Sequence, residues 1–399
     1  MANATTAPTL PSSDRAPVLF ISVAFAAVAV AIGAAVSPVQ ALLFGIGGLL
    51  GVTLYHASFG FTGGWRRMVV ERRGRAMRVQ MLMIGLAALA FIPLLAQGSV
   101  GGTVLAGAFA PVGVSVLVGA LMFGLGMQLG GGCGSGTLFT VGGGSARMLV
   151  TLIFFIVGAV LGTAHLPWWL AQPSLPQVSL GQALGVPLAI AVTLAGLAAV
   201  AVVTAFVEKK EHGSLEAVSA PNKPFTERLI RGPWSLVVAA LLLAGLNLAT
   251  LLTAGHPWSV TFGFGLWGAK IAQAAGVPVE TWTFWTWPGP AKALGASVLA
   301  DNTSVMNFGI ILGAGLAAGL AGKFAPKAAI PIGSLLAAVV GGILMGYGAR
   351  LSFGCNIGAL FSGIASGSLH GWLWFAAAFA GSCLGIALRP VFGLDGFKK

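Results

Sequence analysis

Two cysteines, Cys133 and Cys355, lie in matching glycine-rich segments of this 399-residue chain. The segment 119–139 (GALMFGLGMQLGGGCGSGTLF) and the segment 341–361 (GGILMGYGARLSFGCNIGALF) share nine identities in 21 positions at a fixed offset of 222. A duplicated unit with a thiol at the same place in each copy predicts one central site built from two halves. A thiol can donate a weak S–H hydrogen bond, and its thiolate form can act as a nucleophile or bind a metal.

The residues beside each thiol predict a helix that stops and restarts. Glycine lets the chain end one helix, turn and begin a shorter one, and a helix start exposes unpaired N–H groups that suit an anion. The same spacing of small residues also serves packing between membrane helices, and the two roles are compatible. The candidate substrate-binding residues are Cys133, Cys355, Gly132, Gly134, Ser135, Gly136, Gly354, Asn356, Ile357 and Gly358.

Other thiol chemistry has little support. The chain has three cysteines, none of them in a CxxC, and three thiols without suitably spaced histidines are too few for zinc or an iron–sulfur cluster. The odd count argues against a disulfide framework, although a single disulfide stays open. We interpret the third cysteine, Cys383, as a packing residue in an apolar run. There is no triad, carboxylate pair or phosphate loop, so we expect no enzyme activity, metal or cofactor.

The composition indicates an all-α polytopic membrane protein. Hydrophobic residues make up 57% and charged residues 8% of the chain, and the mean hydropathy is +0.94, whereas a soluble domain has roughly 25% charged residues. Eleven apolar stretches of spanning length recur between Ala16 and Leu388, among them Trp258–Ala275. Their lengths predict about 9–11 transmembrane helices, and the abundant glycine and proline predict additional short re-entrant helices.

Basic residues set the expected topology. The net charge of +12 comes from short loops, which is the pattern of the positive-inside rule and not of a nucleic-acid partner. The clusters of arginine and lysine at 66–78 and at 209–231 would both be cytoplasmic in a bacterial inner membrane. Because two crossings precede the first cluster, the N-terminus would face the cytoplasm as well. If Pro288–Asn302 or another short apolar piece dips into the membrane without crossing, the two halves become inverted repeats, and we favour that arrangement.

This interpretation divides the chain into four parts. We expect a disordered N-terminus at 1–15, a first membrane repeat at 16–207, a cytoplasmic linker at 208–233 and a second membrane repeat at 234–399. The linker is the longest polar stretch of the sequence, which is why the boundary between the repeats is placed there.

Three motifs resemble the YeeE/YedE family of membrane proteins. GGCGSGTL (131–138) and GCNIGALFSGIASGSLHGWLW (354–374) are similar to its signature segments. A third family signature, a Cys-Phe-Thr-Gly turn, corresponds to a stretch in which the family's cysteine falls on Gly60. The resemblance implies thiosulfate uptake, although some relatives are tied to other sulfur or selenium compounds.

The resemblance also implies a mechanism. It predicts an hourglass-shaped pathway in which Cys133 and Cys355, kept neutral by apolar surroundings, donate S–H hydrogen bonds to a sulfur anion. Short-helix N-termini would compensate its charge. The partners would be thiosulfate, the lipid bilayer and a cytosolic sulfur-carrier protein. Two alternatives stay open: a membrane thiol–disulfide oxidoreductase, and a channel for another small solute, including a selenium compound.

Overall fold

A computed structural model describes residues 14–217, 224–324 and 329–397, and most of them are helical. The helices are α1 (Arg15–Ala35), α2 (Pro38–Ala57), α3 (Phe61–Glu71), α4 (Arg75–Gln97), α5 (Val114–Gly130), α6 (Gly134–Gly142), α7 (Ala146–Leu170), α8 (Leu180–Leu184), α9 (Val186–His212), α10 (Phe225–Arg231), α11 (Leu236–Ala254), α12 (Thr261–Ala274), α13 (Thr283–Thr286), α14 (Pro288–Gly295), α15 (Asn302–Leu320), α16 (Ile332–Leu351), α17 (Ser362–Ala365) and α18 (Leu369–Leu388). A π-helical segment, Asn356–Phe361, precedes α17. The short strands β1 (Ser99–Val100) and β2 (Thr103–Val104) pair with each other, as do β3 (Pro111–Gly113) and β4 (Ser174–Gln177), and both pairs are antiparallel.

Ten helical stretches of the described chain are long and apolar enough to cross a membrane, which confirms the all-α polytopic class. The eleventh stretch expected from the sequence, Trp258–Ala275, is not one of them. Its helix, α12, has 14 residues and stops before Gly276, whose φ of +87° ends the helix, and Pro278 follows. The segment is apolar enough for a crossing, but its helix is shorter than the roughly 20 residues that span a bilayer.

The bundle has two distinguishable ends. The arginine-rich end carries the cluster at 66–78, and the strand end carries β1 to β4. Helix α4 runs from the first to the second, since it begins at Arg75 and ends next to β1. Helix α5 starts after β3 and runs back, whereas α16 runs the opposite way, because the Ser115 hydroxyl at the start of α5 donates to the Leu351 carbonyl at the end of α16 (2.7 Å).

After residue 233 the described chain has four membrane-length helices, α11, α15, α16 and α18. Because α15 is the second of these crossings, its end returns to the arginine-rich end, where the Asp14 amide donates to the Gly319 carbonyl (3.0 Å). Residues 1–13 of the expected disordered N-terminus lie outside the described residues. The expected linker is partly helical, because α9 continues past Val207 to His212 and α10 lies within it.

Backbones approach each other closely where α5, α7, α16 and α18 cross. A side chain at Gly341 of α16 would overlap the Gly130 amide of α5, and one at Gly124 of α5 would overlap the Ala378 backbone of α18. A side chain at Gly346 would likewise overlap the Phe155 carbonyl of α7. In a membrane such contacts supply much of the association energy, because lipid removes the hydrophobic drive between helices.

A buried carboxylate fastens α9 at the arginine-rich end. Glu208 is fully buried and contacts the Arg78 guanidinium (2.7 Å) and that of Arg73 (3.3 Å). It also accepts hydrogen bonds from the backbone amides of Gly74 (3.0 Å) and Glu216 (2.7 Å). The carboxylate thus joins the end of α9 to the turn before α4, so a residue expected in the linker is part of the folded helix bundle.

Replacing Gly341 by valine tests the close crossing of α5 and α16. We expect Gly341→Val to destabilise the protein by at least about 2 kcal/mol, because the added atoms overlap backbone that cannot move aside. Thermal unfolding of the detergent-purified protein measures this. Gly245→Ala in α11 is the matched control, since nothing lies within 4 Å of its added methyl group, and its stability should stay within about 1 kcal/mol of the parent. Equal Tm values for both variants would contradict the packing argument.

A second prediction concerns Glu208. Glu208→Gln keeps the shape but removes the charge that two arginines and two amides share, so we expect a loss of about 1–3 kcal/mol. The Tm in detergent provides the measurement, with Glu211→Gln, exposed on the same helix, as control. An unchanged Tm in Glu208→Gln would show that the contact does not contribute to stability.

Candidate functional site

Cys133 stands at a break between two helices. Helix α5 ends where Gly131 adopts a φ of +91°, and α6 begins directly after Cys133. The Cys133 side chain caps the new helix, because its Sγ accepts a hydrogen bond from the Gly136 amide (3.4 Å). The sulfur therefore occupies the position that a serine or aspartate oxygen fills at ordinary helix starts.

Cys355 stands at the equivalent break after α16. Its Sγ accepts a hydrogen bond from the Ile357 amide (3.4 Å). The following turn is π-helical, and the Leu360 amide donates to the Cys355 carbonyl (3.3 Å) in the wider i→i+5 pattern. Single π-helical turns occur frequently at functional sites.

The two cysteine turns meet in the interior of the protein. A Cβ built on Gly134, the residue after Cys133, would lie 3.1 Å from the Cys355 Sγ. Cys133 is 2% exposed and Cys355 is 0% exposed, and both are free thiols. The structure thus brings the two halves of the predicted site together, and glycine at 134 provides the space in which one turn contacts the thiol of the other.

The other predicted residues of the site are one polar side chain and several glycines at close contacts. Ser135 is buried with its Oγ 3.5 Å from the Cys133 Sγ, so it belongs to the polar part of the site. Gly132 and Gly354 are packing positions, since a Cβ on Gly132 would lie 2.9 Å from the Met148 Cε and one on Gly354 would lie within 2.6 Å of a backbone amide. A Cβ on Gly358 would lie 3.6 Å from the Ser259 Oγ, in a third segment of the chain.

That third segment, Trp258–Val260, leads into α12; the sequence placed it at the start of an expected crossing and did not assign it to the site. Asn247 of α11 accepts a hydrogen bond from the Trp258 amide (2.7 Å), and Asn307 of α15 donates to the Val260 carbonyl (2.9 Å). The Ser362 hydroxyl donates to the Trp258 carbonyl (2.8 Å). The sequence did contain a signal for this contact, namely one asparagine inside each of the apolar helices α11 and α15. A polar residue at membrane depth usually has a partner or a function.

The electrostatics of the centre favour an anion. The starts of α6, α12 and the π-helical segment lie side by side, because a Cβ on Gly134 would lie 3.4 Å from Val260 Cγ1 and 3.1 Å from the Cys355 Sγ. The start of a helix is the positive end of its backbone dipoles. None of the nine acidic residues of the chain lies in either cysteine turn. Asn356 is fully buried, and neither its amide nitrogen nor its carbonyl oxygen has a hydrogen-bond partner among the described residues. Buried polar groups are rarely left unpaired, so this amide is available to a ligand.

Two other positions from the sequence lie apart from these contacts. Cys383 is part-exposed on α18 and is a free thiol. Gly60 caps the start of α3 with an extended backbone (φ −127°), and a Cβ added there would meet nothing within 4 Å. A cysteine would therefore fit at this position without moving the fold. Across the described ranges, no group of three or more His, Cys, Asp or Glu side chains is arranged to hold a metal ion.

Comparison with known proteins gives these features a context. The thiosulfate transporter TsuA of Escherichia coli is 26% identical over 82% of this chain and 88% of its own length. The TsuA of Spirochaeta thermophila is 29% identical over 65% of the chain and 73% of its own length. The probable transporter YedE of Escherichia coli is 33% identical over 40% of the chain, and the match spans only 39% of YedE.

The resemblance inferred from the cysteine motifs is confirmed over most of the sequence. A family model described as sulphur transport matches residues 56–384, which include both cysteine turns and all ten predicted site residues. The chain therefore belongs to the sulphur transport family, as a multi-pass membrane transporter and not an enzyme.

Proposed function

We propose that this protein takes up thiosulfate across the bacterial inner membrane through the buried centre between Cys133 and Cys355. The observation that carries the proposal is the contact of the two cysteine turns at Gly134, beside the unpaired Asn356 amide. Thiosulfate combines a soft terminal sulfur with charged oxygens, so it requires donors of both kinds in one place. The two TsuA relatives support the choice of this anion.

The thiols act as neutral donors in this proposal. Each Sγ already accepts an N–H hydrogen bond from its own helix start. The S–H proton of Cys355 can then point at a substrate, and that of Cys133 can do so when the Ser135 hydroxyl is the donor in their contact. A thiol is a weak donor, and it suits a polarisable sulfur better than a hard oxygen. A thiolate would repel a dianion, so the same geometry functions only with protonated cysteines.

The oxygens of the substrate need different partners. The Asn356 amide nitrogen supplies two N–H donors, and the converging helix starts supply a fixed positive potential. A bidentate arginine at this place would hold a dianion strongly and slow its departure, whereas conduction needs binding that is weak enough to reverse. Dipoles and one neutral amide satisfy that requirement.

We further infer that the site is built from inverted copies. The segments around α5 and α16 run in opposite directions, and α5 packs on α18 as α7 packs on α16. The expected cytoplasmic position of the arginine-rich end follows from the positive-inside rule. The substrate would then enter from the strand end, meet Cys355 and pass to Cys133.

Uptake of a dianion needs a driving force. Entry into a cell with a negative interior is opposed by about 2.3 kcal/mol per charge per 100 mV. Consumption of thiosulfate by a sulfur-carrier protein at the arginine-rich end would keep its cytoplasmic concentration low and sustain inward flow. This partner is proposed from the energetics alone.

Replacing the thiols tests the central claim. We expect Cys133→Ala and Cys355→Ala each to lower thiosulfate uptake at least about tenfold, because each removes a donor to a charged ligand. Labelled thiosulfate uptake by cells that lack their own transporters measures this at matched membrane expression. Cys383→Ala is the matched control and should transport at the parental rate.

Serine variants separate the alternatives. A hydroxyl keeps a donor but changes its softness and reach, so Cys133→Ser and Cys355→Ser should retain only part of the uptake. Full uptake by both serine variants would favour a channel in which the thiols are incidental. A disulfide between these two cysteines that is required for function would favour the oxidoreductase alternative.

Gly60→Cys restores the thiol that the family motif has at this position. Because the added side chain meets nothing within 4 Å, we expect a parental Tm and a thiosulfate uptake rate above that of the parent. Gly60→Ser, with similar size and no sulfur, is the control. If the cysteine and serine variants behave alike, a third thiol has no role in this chain.

A further inference from the structure

Arg350 is a cation without a counter-ion, close to the strand end. It lies in the last turn of α16, and its guanidinium carbon is 4.3 Å from the centroid of the Phe284 ring. A side chain on Gly265 of α12 would contact the Arg350 Nη2, so the guanidinium is enclosed on that side. Its Nε is buried without a hydrogen-bond partner, and no ion pair within the described ranges includes Arg350.

A second unpaired donor lies beside the same phenyl ring. Trp285 is 2% exposed, and its indole Nε1 has no hydrogen-bond partner among the described residues. Its ring is 5.0 Å from the Phe284 ring, centroid to centroid. Two buried N–H donors thus belong to side chains that contact the Phe284 ring, and neither has an acceptor among the described residues. Buried donors are rarely left unpaired, which favours a bound species as the acceptor.

The other arginines near the cysteine turns are engaged differently. Arg147 donates to the carbonyls of Leu129 and Gly130 (both 2.7 Å), and Arg389 donates to the Gln128 carbonyl (2.6 Å). These hydrogen bonds pair the backbone carbonyls that the last turn of α5 leaves without a partner in the helix. Arg350 occupies the position that Gln128 has in the first copy, at the offset of 222. No backbone carbonyl in the described ranges accepts a hydrogen bond from its Nε.

The nearby charged groups do not supply the missing acceptor. Lys270 of α12 donates to the carbonyls of Leu294 and Ala296. The Glu280 carboxylate accepts a hydrogen bond from the Gln273 side chain (3.2 Å) and forms no ion pair with Arg350. Neither group therefore supplies an acceptor to the Arg350 guanidinium, which leaves its positive charge uncompensated within the described chain.

We propose that Arg350 and the Trp285 indole N–H bind an oxyanion at the strand end, before the thiol centre. The inference rests on the proposed function and extends it, since the oxyanion of interest is the divalent substrate. Helix α16 leads from Arg350 into the turn that contains Cys355, so an anion held here is concentrated at the approach to the first thiol. A lipid phosphate has the same acceptor chemistry, and the experiment separates the two sources.

The test uses the full chain in detergent, both as the parent and with Cys133→Ala and Cys355→Ala combined, so that thiol binding does not contribute. Tm is measured with sodium thiosulfate, sodium sulfate or sodium chloride at equal ionic strength. We expect the divalent anions to raise Tm in the parent and in the cysteine variant. Arg350→Gln and Trp285→Phe should lose most of that rise, and Arg350→Lys should keep part of it.

Trp287→Phe is the matched control, because Trp287 lies in the same segment, contacts the same Phe284 ring and is 36% exposed. It should respond as the parent does. In uptake assays, Arg350→Gln should raise the KM for thiosulfate about tenfold or more, with a smaller change in the maximal rate. If Arg350→Gln does not fold, Arg350→Lys and Trp285→Phe decide the result.

A lipid arm repeats the Tm measurement in nanodiscs of phosphatidylglycerol or phosphatidylcholine. An Arg350-dependent rise with phosphatidylglycerol, and none with free anions, would support the oxyanion site with a lipid phosphate as its ligand. Equal responses of parent and Arg350→Gln to every anion and both lipids would overturn the proposal. Absence of thiosulfate uptake by the parent would contradict the proposed function, whereas the Tm titration would still decide the anion site.

Discussion

The structure depends on how backbone polar groups are satisfied where helices stop inside a membrane. Hydrocarbon offers no water to an unpaired N–H or C=O, so irregular backbone at that depth must be paired within the protein or must line a cavity. Here the cysteine sulfurs themselves take N–H groups of the restarted helices, from Gly136 and Ile357. Arg147 and Arg389 take the carbonyls at the end of α5. The two cysteines proposed to contact substrate are thus also residues that pair backbone groups at the breaks between helices.

Close helix packing holds the polar centre in a fixed geometry. Glycines bring α5, α16 and their neighbours into backbone contact, which fixes the two cysteine turns relative to each other. Asn247 and Asn307 then fasten the segment before α12 against them. A rigid frame with a small polar centre suits a ligand that must be recognised by donors at defined distances, because such donors need no reorganisation when the ligand arrives.

Much of this arrangement could be predicted from the sequence, and the failures have physical causes. The lengths of the apolar stretches predict the membrane-spanning helices, and the repeated glycine–cysteine pattern predicts the two turns. Both predictions rest on residues that are close together in the sequence. Trp258–Ala275 failed as a crossing because composition does not reveal where Gly276 ends the helix. An asparagine inside an apolar helix marks Asn247 as unusual, but the Trp258 amide that it pairs with, and the absence of a partner for the Trp285 indole N–H, are visible only in the folded protein. Arg350 was visible as a charge near the end of a segment, but its lack of a partner is a property of the folded protein alone.

The burial of both thiols has a consequence for the cell's energy supply. A pore that stayed open between the strand end and the arginine-rich end would let protons and chloride leak and would discharge the membrane potential. With Cys133 2% exposed and Cys355 0% exposed, neither thiol faces an open aqueous passage in the described structure, and neither cysteine turn contains an acidic residue along which a proton could move. Closure of this kind is what a transporter needs in order to remain in an energised membrane without dissipating the potential across it.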